Sequence, residues 1–123
     1  MTRTTIPAPT TFTIDATDRT LGRVASEAAH ALLGKRSVNF AKNFALPITV
    51  TVVNAGKLHL PSRRTKGKIY THYTGYPGGL RETSMEEMIA KKGIEEVVKK
   101  TVDGMIPRNR LRNPRMKNLI VSL

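Results

Sequence analysis

Six consecutive β-branched residues, Ile48 to Val53, constrain the fold of this chain more than any other feature. Branching at Cβ stiffens a side chain in a helix and packs well on a pleated surface, so the run predicts a β-strand. We expect a central strand that is buried on both faces. Residues 54–56 end the strand, and a further short strand is predicted at Lys57 to Leu60, closed by Pro61.

A strand and a helix are predicted before this run. Thr11 to Ile14 has the composition of a short strand, and the oxygens of Asp15 and Asp18 suit the start of a helix. The helix has five apolar residues on one face: Leu21, Val24, Ala25, Ala28 and Leu32. Gly34 is the expected C-terminal stop. The alternation of strand and helix favours an α/β fold with a partly parallel sheet.

Two more helices are predicted in the second half of the chain. Ser84 with Glu87 three residues later forms a reciprocal capping box, and Gly93 ends that helix. The apolar face of the next helix consists of Ile94, Val97, Val98, Thr101 and Val102. Two ion pairs at i, i+4 spacing are expected on its surface: Glu95 with Lys99, and Glu96 with Lys100.

The positive charge is concentrated outside these helices. The 123 residues contain 21 Lys and Arg against 9 Asp and Glu, a net charge of +12 with a pI near 10.6. Residues 61–84 carry a net +4 and residues 104–123 a net +5, whereas residues 85–103 carry a net −1. Such clustering predicts a polyanionic partner, and nucleic acid is the leading candidate. We expect loops, and not helices, to form the binding surface.

Several chemistries lack the residues they need. The absence of cysteine excludes disulfides, thiol nucleophiles and thiolate zinc sites. The three histidines, His30, His59 and His72, lack the close spacing of a metal site. Gly34-Lys35 does not open a nucleotide-binding P-loop, because Ala29 and Arg36 occupy positions where that motif needs Gly and Ser or Thr. We therefore predict no catalytic residues, no metal and no cofactor.

The domain organisation is predicted to be simple. Residues 1–11 are expected to form a flexible extension, and residues 12–123 a single soluble domain. No apolar run approaches the length of about 18 residues that a membrane-spanning helix requires. We expect no membrane association.

Two segments have the composition of an RNA-binding surface. The segment Arg63 to Gly79 mixes four cations with three tyrosines, a histidine and glycines, while Gly104 to Lys117 contains five cations and no acid. Cations contact phosphates, aromatic rings stack on unpaired bases, and glycine permits close backbone approach. We expect Tyr70 to be partly packed in the core. The predicted RNA-binding residues are Lys35, Arg36, Arg63, Arg64, Lys66, Lys68, His72, Tyr73, Gly75, Tyr76, Gly78, Gly79, Arg108, Asn109, Arg110, Arg112, Arg115 and Lys117.

Lys35 and Arg36 have two possible roles. They contact phosphates of the RNA, or they form the solvated end of the helix. Valine at Gly78 or Gly79 is expected to impair assembly on RNA more than folding, because a Cβ there would meet the sugar-phosphate chain.

Four motifs in order resemble one known family. They are Leu21-Gly-Arg-Val-Ala-Ser, Val52-Val-Asn-Ala, Lys68-Ile-Tyr-Thr-His-Tyr-Thr-Gly-Tyr-Pro-Gly-Gly-Leu and Val102-Asp-Gly-Met-Ile-Pro-Arg-Asn-Arg-Leu. Together they resemble the large-subunit ribosomal protein L13 family, of bacterial or organellar type. The resemblance extends from about residue 12 to residue 121.

The resemblance implies a three-layer α/β/α single domain with a four-stranded, mainly parallel sheet and basic RNA-binding loops. It also implies a structural, non-enzymatic role in the large ribosomal subunit, early in its assembly and in translation. The implied partners are large-subunit ribosomal RNA and neighbouring ribosomal proteins, with no small-molecule substrate and no homo-oligomer. The expected location is cytoplasmic, in the ribosome, or in an organellar ribosome.

Two alternatives remain open from the residues alone. One is a phosphate-handling enzyme with a basic substrate cleft, for which no base, nucleophile or metal-ligand set converges. The other is a non-ribosomal RNA-binding regulator. Sedimentation at low and high magnesium separates the first alternative, because a ribosomal protein follows the large subunit and an enzyme stays in the soluble fraction. A regulatory activity as a second role stays open from the sequence.

Overall fold

A computed structural model describes residues 8–38, 40 and 44–123. Residues 1–7 of the predicted extension lie outside this part of the chain. The strands are β1 Thr10–Asp15, β2 Ile48–Val53, β3 Ile69–Tyr73, β4 Leu80–Ser84 and β5 Leu119–Val121. The helices are α1 Leu21–Leu33, α2 Ser62–Gly67, α3 Met85–Lys92, α4 Ile94–Met105 and α5 Arg112–Lys117.

The main sheet is parallel and has β2 at its centre. Its strand order is β1-β2-β5. Thr10 of β1 lies opposite Ile48 of β2, and Val50 of β2 lies opposite Leu119 of β5. The predicted α/β class, the mainly parallel sheet and the central position of the β-branched run are therefore confirmed.

Among the described residues, the sheet is packed on one face only, which differs from the prediction for β2. Alternate residues of this strand are fully buried and half-buried, because successive side chains point to opposite faces. On the second face, Thr11 and Thr13 of β1 are exposed and Ile120 of β5 is 51 % exposed. The described residues thus form three strands in the main sheet, and neither a fourth strand nor a third layer is present among them.

The predicted strand at residues 57–60 is wrong. Asn54 adopts a left-handed backbone with φ 58°, and a 3-10 turn follows at Ala55–Lys57. His59 retains a single parallel bridge to Thr20, in which its N–H donates to the carbonyl of Arg19 at 2.9 Å. Lys57 belongs to this turn, so a strand cannot begin there as predicted.

The amphipathic helices follow the sequence pattern closely. Helix α1 ends at Gly34 in a left-handed conformation with φ 86°, as predicted from its C-terminal glycine. Gly93 likewise separates α3 from α4. Helices α1 and α4 pack against each other and cover the sheet, with Leu32, Val98 and Val102 fully enclosed in the core.

The two basic segments contain regular structure that the sequence reading missed. Helix α2 carries Arg63 and Arg64, and α5 begins at Arg112. Strands β3 and β4 form a separate antiparallel ribbon. The expectation that loops alone carry the charge is therefore corrected: short helices and a hairpin carry most of it. Among the described residues, no helix is both long enough and apolar enough to cross a membrane.

Candidate nucleic-acid interface

Three adjoining cavities form a groove over α1, α2, α4 and the β3–β4 ribbon. The first, of about 300 Å³, and the second, of about 400 Å³, share Leu21, Gly22 and Arg64. The third, of about 390 Å³, shares Tyr70 and Lys100 with the second. We call this surface the basic groove. Its cations are Arg23, Arg63, Arg64, Lys68, Arg81, Lys92 and Lys100.

No acidic residue of the described chain lines the basic groove. Seven like charges therefore share one surface without a local counter-charge. Neighbouring cations in the groove repel one another over the screening length, which is about 8 Å at physiological salt. The electrostatic repulsion is relieved when a polyanion occupies the groove.

Tyr70 organises the middle of the groove. The Nζ of Lys100 lies 4.8 Å from the centroid of its ring, and the Nζ of Lys68 lies 5.6 Å from it. Both distances are within the range of cation–π attraction. The ring is half-buried as predicted, and its burial raises the pKa of the Tyr70 hydroxyl. The ring thus holds two ammonium groups at the groove surface.

This arrangement corrects one sequence prediction. Glu96 and Lys100 do not form an ion pair among the described residues, and neither do Glu95 and Lys99. Lys100 contacts the Tyr70 ring instead. The surface of α4 therefore contributes a cation to the groove and does not neutralise itself.

The β3–β4 ribbon separates residues that the sequence reading had grouped. His72 lies opposite Arg81, and both line the groove. Tyr73 lies opposite Leu80 on the other face of the ribbon, where Tyr73 is 62 % exposed. His72 and Tyr73 therefore cannot contact the same part of a ligand through one face.

The tip of the ribbon is a tight turn. The N–H of Gly79 donates to the carbonyl of Tyr76 at 2.9 Å, and the N–H of Thr74 donates to the carbonyl of Gly79 at 3.1 Å. Pro77 followed by Gly78 with φ 71° has the pattern of a type II turn. Tyr76 is 76 % exposed at this tip. Gly79 itself is buried, so it does not present its backbone to solvent.

The second basic segment is divided between exposed and engaged cations. Arg108, Arg110 and Lys117 are exposed. Arg112 is half-buried, and its Nε lies 3.3 Å from an Oδ1 of Asp103. Arg115 is buried, with only 2 % of its surface exposed. Of the four predicted arginines, two are therefore open to a ligand without rearrangement.

The pair Lys35 and Arg36 divides in the same way. Lys35 is exposed. The guanidinium of Arg36 lies 3.2 Å from Glu27 and 5.3 Å from the centroid of the Phe12 ring. Arg19 also pairs with Glu27, at 2.7 Å, and these two arginines lower the pKa of that carboxyl. Arg36 thus has a structural role at the end of α1.

Within the basic groove the structure brings together four predicted RNA-binding residues: Arg63, Arg64, Lys68 and His72. They lie beside Tyr70, which was predicted to be partly packed in the core. The remaining predicted residues lie outside it. Sequence reasoning missed four groove cations: Arg23, Arg81, Lys92 and Lys100. Lys100 was expected in an ion pair with Glu96 on the surface of α4. Only the folded structure shows that Arg23 and Lys100 line a groove in which no acidic residue of the described chain takes part.

No group of three or more His, Asp or Glu that could hold a metal ion occurs in the described residues. Asp15 accepts hydrogen bonds from Thr17 and Asn54 and is occupied structurally. A small α/β domain with an acid-free groove lined by cations and an aromatic ring defines a class of protein that binds polyanions such as RNA.

Comparison with known proteins identifies the family. The family model for ribosomal protein L13 matches residues 9–121. The protein from Chlamydia caviae named large ribosomal subunit protein uL13 is 42 % identical over 108 residues, which cover 88 % of this chain and 71 % of the relative.

Two further relatives carry the same name. That of Nitratidesulfovibrio vulgaris is 43 % identical over 110 residues, covering 89 % of this chain and 76 % of the relative. That of Beutenbergia cavernae is 40 % identical over 124 residues, covering 97 % of this chain and 84 % of the relative. The chain belongs to the ribosomal protein L13 family, and the resemblance found in its motifs is confirmed. Because this is a structural, non-enzymatic family, membership also supports the prediction that the chain is not an enzyme.

Proposed function

We propose that this chain is a structural constituent of the large ribosomal subunit. It binds large-subunit ribosomal RNA, supports early subunit assembly and translation, and contacts neighbouring ribosomal proteins. The acid-free basic groove carries this proposal, and family membership supports it. The protein acts in the cytoplasm as part of the ribosome, without a small-molecule substrate, a cofactor, a membrane or a second copy of itself.

The RNA-binding surface has two parts in this proposal. The groove supplies Arg63, Arg64, Lys68 and His72, to which the structure adds Arg23, Arg81, Lys92 and Lys100. Outside the groove, the proposed contacts are Lys35, Arg36, Lys66, Tyr73, Gly75, Tyr76, Gly78, Gly79, Arg108, Asn109, Arg110, Arg112, Arg115 and Lys117.

The chemistry of the groove fits a folded RNA better than a sequence code. Ammonium and guanidinium groups bind phosphates whatever the base, and the half-buried Tyr70 ring is already engaged by two lysines. Exposed Tyr76 at the hairpin tip is free to stack on an unpaired base. Recognition therefore rests mainly on the shape of the RNA backbone, and Tyr76 adds an aromatic contact at the tip.

A matched pair of variants tests the groove. Arg64→Ala with Lys100→Ala removes two cations that line it. Lys91→Ala with Lys99→Ala removes two cations from α3 and α4 that do not line it. We expect the groove variant to bind large-subunit RNA about 10- to 100-fold more weakly, and the control about as tightly as the unaltered chain.

Incorporation in cells completes the test. A tagged copy of the unaltered chain should follow the large subunit at both low and high magnesium, and the groove variant should be depleted from it. A tagged chain that stays in the soluble fraction would contradict the proposal and favour the enzyme or the regulator. Equal incorporation of groove and control variants would remove the groove from the interface.

A further inference from the structure

Arg115 is the buried charged side chain of the described residues, with 2 % of its surface exposed. Its Nε is enclosed and has no hydrogen-bond partner. The guanidinium stays protonated at neutral pH even though burial lowers the pKa of Arg115. Buried charges in proteins are normally paired, because removing an unpaired charge from water is strongly unfavourable. The missing partner of Arg115 calls for an explanation.

The chain itself has no acid available for this role. Asp103, the nearest acid in sequence, is already paired with Arg112 at 3.3 Å. Residues 104–123 contain no Asp or Glu. Residues 34–47 contain none either, and Lys35 and Phe40 of this range line a cavity together with Arg115. No acid of the described residues pairs with Arg115, and this favours a negative charge supplied by another molecule.

A cavity of about 340 Å³ adjoins Arg115 between the end of α1 and the start of α5. It is lined by Leu33, Lys35, Phe40, Pro107, Asn109 and Arg115. The apolar walls lower the local dielectric and strengthen any ion contact made inside. This volume lies within the range of ligand cavities in proteins.

The polar lining of the cavity consists of donors. Lys35 supplies a second cation. The side-chain oxygen of Asn109 accepts from the backbone N–H of Leu111 at 3.1 Å, which leaves its Nδ2 as the donor available to a ligand. Two cations and one amide N–H, with no acidic side chain among the described residues that line the cavity, match the chemistry of a phosphate group.

We propose that this cavity binds one phosphate group of an RNA chain, held by Arg115 with Lys35 and Asn109. The inference rests on the proposed function, to which it adds a specific buried contact. An RNA phosphate fits better than a free anion, because exposed Arg108 and Arg110 flank the lining residue Asn109 in the chain and add positive charge there. The planar guanidinium can form two parallel hydrogen bonds to phosphate oxygens.

The test uses Arg115→Met, which removes the charge and keeps an unbranched side chain of similar length. The matched control is Arg110→Met, which removes the same charge from an exposed position of the same segment. We expect Arg115→Met to weaken binding to large-subunit RNA about 10- to 100-fold, and the control severalfold at most.

Ethylation interference locates the contact on the RNA. With the unaltered chain, ethylation of one particular phosphate should block binding, and with Arg115→Met that single interference should disappear while the others remain. The free Arg115→Met protein should melt at the same temperature as the unaltered chain or higher, because an unpaired buried charge has been removed. Arg115→Lys keeps the charge but loses the two parallel hydrogen-bond donors of the guanidinium. It should therefore lose less affinity than Arg115→Met.

Inorganic phosphate distinguishes the source of the anion. At equal ionic strength it should raise the melting temperature of the unaltered chain and not that of Arg115→Met. Stabilisation by phosphate without a lost interference position would overturn the RNA assignment. If Arg115→Met binds RNA as tightly as Arg110→Met with an unchanged interference pattern, the inference is wrong while the proposed function stands. If the unaltered chain binds no large-subunit RNA, both fail.

Discussion

Asp15 shows how one carboxylate joins two strand ends. Its Oδ1 accepts from the N–H of Thr17 at 3.0 Å, from the hydroxyl of Thr17 at 2.7 Å and from Nδ2 of Asn54 at 3.1 Å. Asn54 follows β2 with a left-handed backbone, so the bond ties the end of β1 to the turn after its neighbour. These hydrogen bonds lower the pKa of Asp15 from its ordinary 3.8 to about 2, and the bond from the backbone N–H of Thr17 has the largest effect.

Replacing Asp15 by Ala is expected to lower the free energy of unfolding at neutral pH. Because the folded-state pKa is depressed, the ionised form stabilises the fold above pH 4, and this contribution is lost as the pH falls towards 2. Urea unfolding of both proteins between pH 7 and pH 2.5 measures the difference, which should shrink with acid. A difference that stays constant with pH would mean that Asp15 acts through something other than its charge.

Gly79 is constrained by the turn that contains it. A Cβ at this position would collide with the Thr74 side chain and would lie 2.9 Å from the carbonyl oxygen of Tyr76. Gly78 has φ 71° and open space around the position of a Cβ. The sequence-based expectation that a larger residue impairs assembly more than folding therefore stays a prediction for Gly78, whereas Gly79 already has a constraint within the protein.

Gly79→Ala is expected to destabilise the free protein by about 1–3 kcal/mol, as other overpacking substitutions do. Gly67→Ala is the matched control, because nothing lies within 4 Å of a Cβ there. The control should change the free energy of unfolding by less than about 0.5 kcal/mol. Chemical denaturation of the two variants compares them. Unaltered stability of Gly79→Ala would show that the turn readjusts at no cost.

At the scale of elements, Ser84 links the hairpin to the helices. It is the last residue of β4 and the N-cap of α3, and its hydroxyl accepts from the N–H of Glu87 at 3.2 Å. The N–H of Met85 donates to the carbonyl of Lys68 at 3.0 Å, just before β3. One junction therefore sets the position of the ribbon, and with it His72 and Arg81, relative to α3.

Ser84→Ala should lower the free energy of unfolding by about 1 kcal/mol, since it removes the acceptor for an otherwise unpaired N–H at the start of α3. Ser26→Ala, at an exposed position in α1, is the control and should be neutral or slightly stabilising. Urea denaturation at neutral pH is the measurement. If both variants unfold at the same urea concentration, the cap does not contribute to stability.

At the scale of the whole molecule, the charge is arranged in two separate places. Seven cations line the basic groove, and a second set lies around residues 108–117. Six of the nine acids lie on α1, α3 and α4, and the described ion pairs involve Glu27 and Asp103. The acids thus stabilise the fold locally and leave the surfaces for RNA positive.

The affinity for large-subunit RNA is therefore expected to depend steeply on salt. If about 6–10 phosphates are neutralised, affinity should fall on the order of a thousandfold or more between 50 and 200 mM salt. The Arg64→Ala and Lys100→Ala double variant should show a shallower slope, by about two released counterions. Filter binding over a salt series measures both. A nearly flat dependence for the unaltered chain would show that phosphate contacts do not dominate.

Local sequence patterns were sufficient for much of this fold. The apolar spacing of α1, its terminal Gly34, the β-branched run of β2 and the Ser84 cap each act over a few residues, so a short window contains their physical cause. The family followed from four ordered motifs for the same reason. The concentration of positive charge in two segments also follows directly from the sequence.

Contacts distant in sequence required the folded structure. Lys100 has a suitable acid four residues earlier, yet packing of α4 beside the ribbon places it against Tyr70. Arg115 is one of five cations in an acid-free segment, which predicts an exposed side chain. In the structure α5 packs with the side chain of Arg115 buried. The pairing of β3 with β4 and the single packed face of the sheet have the same origin. Each depends on which surfaces meet, because burial and charge environment are set by neighbours far along the chain.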